Sequence, residues 1–169
     1  MVFRMTAILI LGIDPGLKRC GWGLIASEGA RLSHIAHGII APKPQLQLAS
    51  RLSFLFDALC AVIEQHHPHE AAVEETFVNA NARAALALGQ ARGVALAAAA
   101  RTGIAVAEYS PATVKKAIVG SGAADKAQIA FMVRRLLPSA GKVSADAADA
   151  LGVAICHAAH GGFKRRAGG

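Results

Sequence analysis

The stretch Ile8-Leu9-Ile10-Leu11-Gly12-Ile13 contains no polar side chain and ends on Asp14-Pro15-Gly16. A strand with one wet face alternates apolar and polar residues, whereas a run apolar on both faces belongs to a central strand with layers packed above and below it. That feature directs the chain toward an α/β fold. After the Pro-Gly turn, residues 21–26 and 32–40 read as two more strands of a meander, turning at 27–30. Pro42 and Pro44 then break the pattern. A helix over 46–67 follows, with Leu48, Leu52, Leu55, Phe56, Leu59, Val62 and Ile63 at helical spacing, and Pro68 stops it. Next come a short strand at 71–75, an alanine-rich helix over 81–101 and a strand at 104–108. Ser110 caps a helix with Pro111 at its first position, and a further helix runs near 125–137. A last helix starts from a cap at Ser144 and reaches about His160. Three leading strands, then strands alternating with helices, predict a mixed five-stranded β-sheet flanked by helices on both faces. There is no internal repeat or linker, so residues 1–163 read as a single domain and 164–169 as a basic flexible tail.

Four acids occupy positions where acids are costly. Asp14 ends the first apolar run, Glu74 ends Ala71-Ala72-Val73, and Asp146 and Asp149 interrupt an apolar helix. A carboxylate against a core needs a partner or a cation. Asp146 and Asp149 are three apart, share a helix face and can converge on one point, near a helix start that favours anions. Asp14 and Glu74 end strands, the edge at which α/β proteins place their sites. An oxygen-only ligand set suits Mg²⁺ or Mn²⁺. Two such ions about 4 Å apart are a device for phosphodiester hydrolysis. Alternation puts Glu74 and Glu75 on opposite faces, so only one of them is a ligand, and spacing alone leaves the choice open.

The formal charge of +7 on 169 residues attracts a polyanion. Mean hydropathy is +0.41, yet no apolar run approaches the roughly 20 residues of a membrane span. The first 13 residues lead straight into Asp14 without a small-residue cleavage site, so they read as a strand and not as a signal peptide, with Met5 an alternative start. Cys20, Cys60 and Cys156 form no CxxC pair and suit a reducing cytoplasm. His66, His67 and His69 surround Pro68 at a helix end and read as structural or surface residues and not as metal ligands. Seven bases (Arg101, Lys115, Lys116, Lys126, Arg134, Arg135 and Lys142) stand between residues 101 and 142 against Glu108 and Asp125. Phosphate contacts from such a segment give salt-sensitive affinity without sequence choice. Lys18 and Arg19 are either phosphate contacts or surface charges, and Trp22 and Tyr109 read as core.

At the acidic positions the chain resembles the RuvC Holliday junction resolvases, a family of RNase H-like fold. The matching stretches are Leu11-Gly-Ile-Asp-Pro-Gly16, Val73-Glu-Glu-Thr-Phe77, Leu88-Gly-Gln-Ala-Arg-Gly-Val94 and Ala145-Asp-Ala-Ala-Asp-Ala-Leu151. The resemblance implies a homodimeric endonuclease that resolves four-way DNA junctions by paired symmetric nicks with Mg²⁺, beside a branch-migration helicase complex. It implies that Asp14, Glu74, Asp146 and Asp149 bind the metal, and it selects Glu74 over Glu75. It also implies active-site roles for Lys126 and for Lys115, with which Lys116 competes. Phe77 is implied to stack on an unpaired base at the junction centre; its alternative is packing under its own loop. The face of helix 81–101 carrying Gly89 and Gly93 is the candidate dimer interface, and the glycine-rich loop 119–124 is a candidate to close on DNA. Two other readings share these residues: an RNase H-like nuclease acting on RNA, and a non-catalytic junction-binding protein. An actin-type or sugar-kinase ATPase half is less compatible, because no second phosphate loop follows.

Overall fold

The computed structural model describes residues 6–75 and 81–167. Its five strands are β1 (Ile8–Asp14), β2 (Cys20–Glu28), β3 (Arg31–Ile40), β4 (Glu70–Glu74) and β5 (Ala105–Tyr109), in sheet order β3-β2-β1-β4-β5. The hairpin strands pair antiparallel, while β4 and β5 add parallel to β1. This mixed sheet matches the fold class read from the sequence.

Its helices are α1 (Leu48–His66), α2 (Ala82–Arg101), α3 (Pro111–Val119), α4 (Lys126–Leu136) and α5 (Ala145–Ala167). Alternation along the central strands feeds two cores. Ile10, Ile25 and Ala72 face α3, α4 and α5, where Val114, Ile129 and Leu151 are buried. Leu11, Ile13, Leu24 and Val73 face α1 and α2, meeting Leu55, Leu59, Ile63, Ala91 and Ala95. The unbroken apolar run of β1 is thus a consequence of lying between two helical layers.

Local chemistry sets the helix ends. Ser110 Oγ accepts the Thr113 N–H at 3.1 Å, and Asp125 and Gln128 form a reciprocal capping box that starts α4. His67 adopts φ 48 and its N–H closes α1 on the Ile63 carbonyl. His69 Nδ1 accepts the Leu9 N–H at 2.9 Å, which ties the turn before β4 to β1.

Two helix boundaries and the regularity of one strand differ from the sequence reading. Helix α1 begins at Leu48 and not 46, leaving Leu46 and Leu48 exposed, because the buried stripe starts lower, at Leu55. Helix α5 runs on to Ala167, beyond the end near His160 read from the sequence; no proline intervenes to stop it. Strand β3 is irregular: its register against β2 shifts between Leu24 and Ile25. Among the described residues, no helix is long and apolar enough to cross a membrane.

Candidate active site

Register brings the first two acids together. In the parallel pair β1–β4, Ile13 stands beside Val73, so the next residues, Asp14 and Glu74, are neighbours at the carboxyl edge of the sheet. The pleat turns both toward the face covered by α5. Glycine brings α5 close: a Cβ on Gly12 would land on the Ala150 carbonyl, and one on Gly21, the register partner of Asp14, would land on the Asp146 carbonyl. Ser144 Oγ accepts the Ala147 N–H at 3.4 Å and starts the helix here. The first turns of α5, with Asp146 and Asp149, therefore lie over the strand ends.

A cavity of about 220 Å³ opens at this point. Asp14, Glu74 and Asp149 line it with Lys115 and Lys126, and Pro111, Val114 and Ile129 form its apolar wall. Lys126 Nζ lies 3.5 Å from Asp149 Oδ2. Lys116 borders a different hollow, near Gly122 and His160, so of the two adjacent lysines only Lys115 faces the acids. Asp146 shares a helix face with Asp149 as expected, but it takes a different partner: Arg19 Nε contacts its Oδ2 at 2.7 Å.

Burial and crowding govern the charges. The Asp14 carboxyl is pushed from its usual 3.8 up to about 8, first by desolvation, then by Glu74, Asp149 and Asp146. Its proton is donated to Glu74, whose own carboxyl is raised by burial and by Asp149 despite that hydrogen bond. Asp149 is also raised by burial, with Lys126 opposing. Each group resists ionisation because the site gathers more negative charge than it solvates.

A hard dication fits this donor set, since every donor is a carboxylate oxygen and the carboxyls of Asp14, Glu74 and Asp149 stay raised despite the nearby lysines. The cage is not finished in advance: among the described residues, no three acidic, histidine or cysteine side chains already converge as a metal site. Arg19 holds Asp146 and Lys126 holds Asp149 instead. The Arg19 side chain is 55% exposed, and an exposed pair of this kind is worth under about 1 kcal/mol, so it is a weak tie on Asp146.

A pH dependence follows. Between pH 3.8 and about 8 the folded chain keeps a proton on Asp14 that the unfolded chain has lost, so metal-free stability falls as pH rises through that window. In chelator, Asp14→Asn should therefore melt higher than wild type at pH 8, by up to a few kcal/mol, and the gap should close toward pH 4. Melting curves across that range check it; a gap independent of pH contradicts it.

Phe77 lies outside the described residues. His66 stacks near Trp22, its ring 5.6 Å away. Cys20 and Cys156 are buried, which drives both thiols up to about 12. Sequence reasoning missed two supporting groups. Arg51 donates to the Leu17 carbonyl at 3.0 Å and braces the turn after Asp14. Tyr109, which ends β5 beside Glu74, places its hydroxyl 2.9 Å from His157 Nδ1, and His157 Nε2 lies 2.7 Å from Glu70. Both depend on contacts 34 or more residues apart in sequence, which no local pattern signals.

Strand order, the two helical layers and an acidic cleft at the parallel strand ends define a nuclease of the RNase H-like class. Residues 10–157 match the family model described as crossover junction endodeoxyribonuclease RuvC. The chain belongs to the RuvC family. It is 62% identical over 151 residues to the protein of that name from Caulobacter sp. (strain K31), covering 89% of each chain. The Caulobacter vibrioides protein is 63% identical over 149 residues, 88% of each. Among solved structures, T. thermophilus RuvC in complex with Holliday junction substrate superposes with a TM-score of 0.86 at 31% identity, over 93% of this chain and 96% of that one.

Proposed function

We propose that this chain resolves four-way DNA junctions by paired, symmetric nicks. The carrying observation is the cleft itself, in which Asp14, Glu74 and Asp149 meet Lys115 and Lys126. Family membership supports the substrate, since the T. thermophilus relative is described with a Holliday junction. Asp14, Glu74, Asp149 and, once released from Arg19, Asp146 would hold the metal: two Mg²⁺ ions, with Mn²⁺ able to substitute. When bound, such ions supply charge neutralisation at the scissile phosphate and acidify water.

The protein groups do the rest. Lys115 and Lys126 present ammonium groups where the scissile phosphate enters, and the apolar wall of Pro111, Val114 and Ile129 excludes bulk water. The side chain of Lys126 is 86% exposed at the cleft mouth, so it reaches substrate without unfolding anything. Lys126→Ala should slow cleavage roughly tenfold to a hundredfold while junction affinity changes little. Single-turnover rates beside gel-shift titrations check this; an unchanged rate removes Lys126 from the reaction. Phe77 supplies the base-stacking group.

Two equivalent cuts call for two equivalent sites, and a two-fold homodimer supplies them. The face of α2 bearing Leu86, which is 65% exposed, together with Gly89 and Gly93, which have open space above them, supports a helix-to-helix interface there. The enzyme works in the cytoplasm, with a branch-migration helicase complex as its partner. The test offers a mobile four-way junction, a linear duplex and an RNA–DNA hybrid, each with and without Mg²⁺. Paired nicks confined to the junction plus Mg²⁺ are expected. Preferential cutting of the hybrid, or junction binding without cutting, would overturn the proposal.

A further inference from the structure

Edge strand β3 carries two histidines that the nuclease site does not use. Residues three apart on a regular strand point to opposite faces. Here Ile25 pairs with His34 and Leu24 with Ala36, so Ile35 is an extra residue and the strand bulges. The slip returns His34 and His37 to one face. His34 stands opposite Ile25 and His37 opposite Gly23, on the side where Ile25 packs with Leu151. The rings are 5.0 Å apart, and His34 Nε2 lies 2.8 Å from His37 Nδ1. Both residues are half-buried. Burial and the neighbouring ring hold His34 below the ordinary imidazole range, which favours the neutral, ligating form.

Two nitrogens 2.8 Å apart, each roughly 2.1 Å from one ion, subtend an angle of about 85°. That is the cis angle of a square-planar or octahedral centre and narrower than a tetrahedral one. The terminal ring torsion of histidine is soft, so once the donor ring carries its proton on its other nitrogen, both lone pairs can turn onto a shared ion. We propose that His34 and His37 form a binding site for a transition-metal dication of the nickel or copper type, with water completing the coordination. It is chemically separate from the carboxylate cleft, because imidazole selects such metals whereas carboxylates select magnesium. The ion links the strand across its unpaired residue, so occupancy stabilises the folded state.

Ni²⁺ is the probe, titrated calorimetrically into the full chain with excess Mg²⁺ present. One Ni²⁺ per chain is expected, with a rise in melting temperature. His34→Gln and His37→Gln should each weaken binding by roughly tenfold or more, while His66→Gln/His67→Gln binds as wild type. Independently of any variant, substoichiometric Ni²⁺ should broaden the ring resonances of His34 and His37 in the wild-type NMR spectrum before those of other histidines. Unaltered binding in both single variants, or broadening that begins elsewhere, overturns the site and leaves the pair as an imidazole–imidazole hydrogen bond only.

Discussion

Asp14→Asn should abolish junction cleavage, with a loss of at least about a thousandfold, while the variant still folds and still binds the junction. The substitution keeps the shape of the protonated acid and removes its capacity to ionise at the point where Glu74, Asp149 and Asp146 all act on the same carboxyl. Asparagine can still donate to Glu74, so the local hydrogen bond survives. What disappears is the anionic oxygen that the proposed metal requires. DNA affinity should hold, because it derives from the excess of basic residues, and losing an acid reduces repulsion of phosphate. Single-turnover cleavage and gel-shift titration on one preparation decide the matter. Loss of binding in step with cleavage would make Asp14 a structural residue.

Gly12→Ala should be among the most destabilising single methyls in the sheet, alongside Gly21→Ala. A Cβ there collides with the Ala150 carbonyl and crowds the Ala154 N–H, both backbone atoms of α5 that cannot rotate away. Relief requires the whole helix to lift. Overpacking against side chains costs about 1–3 kcal/mol, and against rigid backbone the cost should reach or exceed the top of that range. The same movement carries Asp146 and Asp149 away from Asp14, so residual folded protein should also cut poorly. Urea denaturation measures the first effect. A midpoint within error of wild type would mean that α5 does not sit on the sheet as described.

Much of this arrangement is legible in local pattern. The two-sided apolar run of β1, the acids closing β1 and β4, and the Ser144 cap above Asp146 each announce themselves within a few residues. The parallel register of Ile13 with Val73 then sets Asp14 beside Glu74, and the close approach at Gly12 and Gly21 brings the α5 acids over them. What local pattern does not carry is long-range choice. Lys115 and Lys116 are equivalent in the sequence, and only the rotation of α3 against α5 turns Lys115 inward. The pairing of Arg19 with Asp146 joins residues 127 apart, so Arg19 reads as one more surface base until the fold is known. The bulge at Ile35 arises from matching two strands whose apolar residues fall out of step, which neither strand reveals alone. Helix α1 starts two residues later than the apolar spacing predicts because Leu46 has no core to face.

The decisive measurement is an anomalous-scattering map from crystals of the wild-type protein soaked in Mn²⁺. Density bounded by the carboxylates of Asp14, Glu74 and Asp149, with Asp146 turned from Arg19 toward it and no such density in Asp14→Asn crystals, is the expected result. Manganese absent from that cleft, or bound only at other residues, would contradict the claim that these four acids exist to hold a catalytic dication.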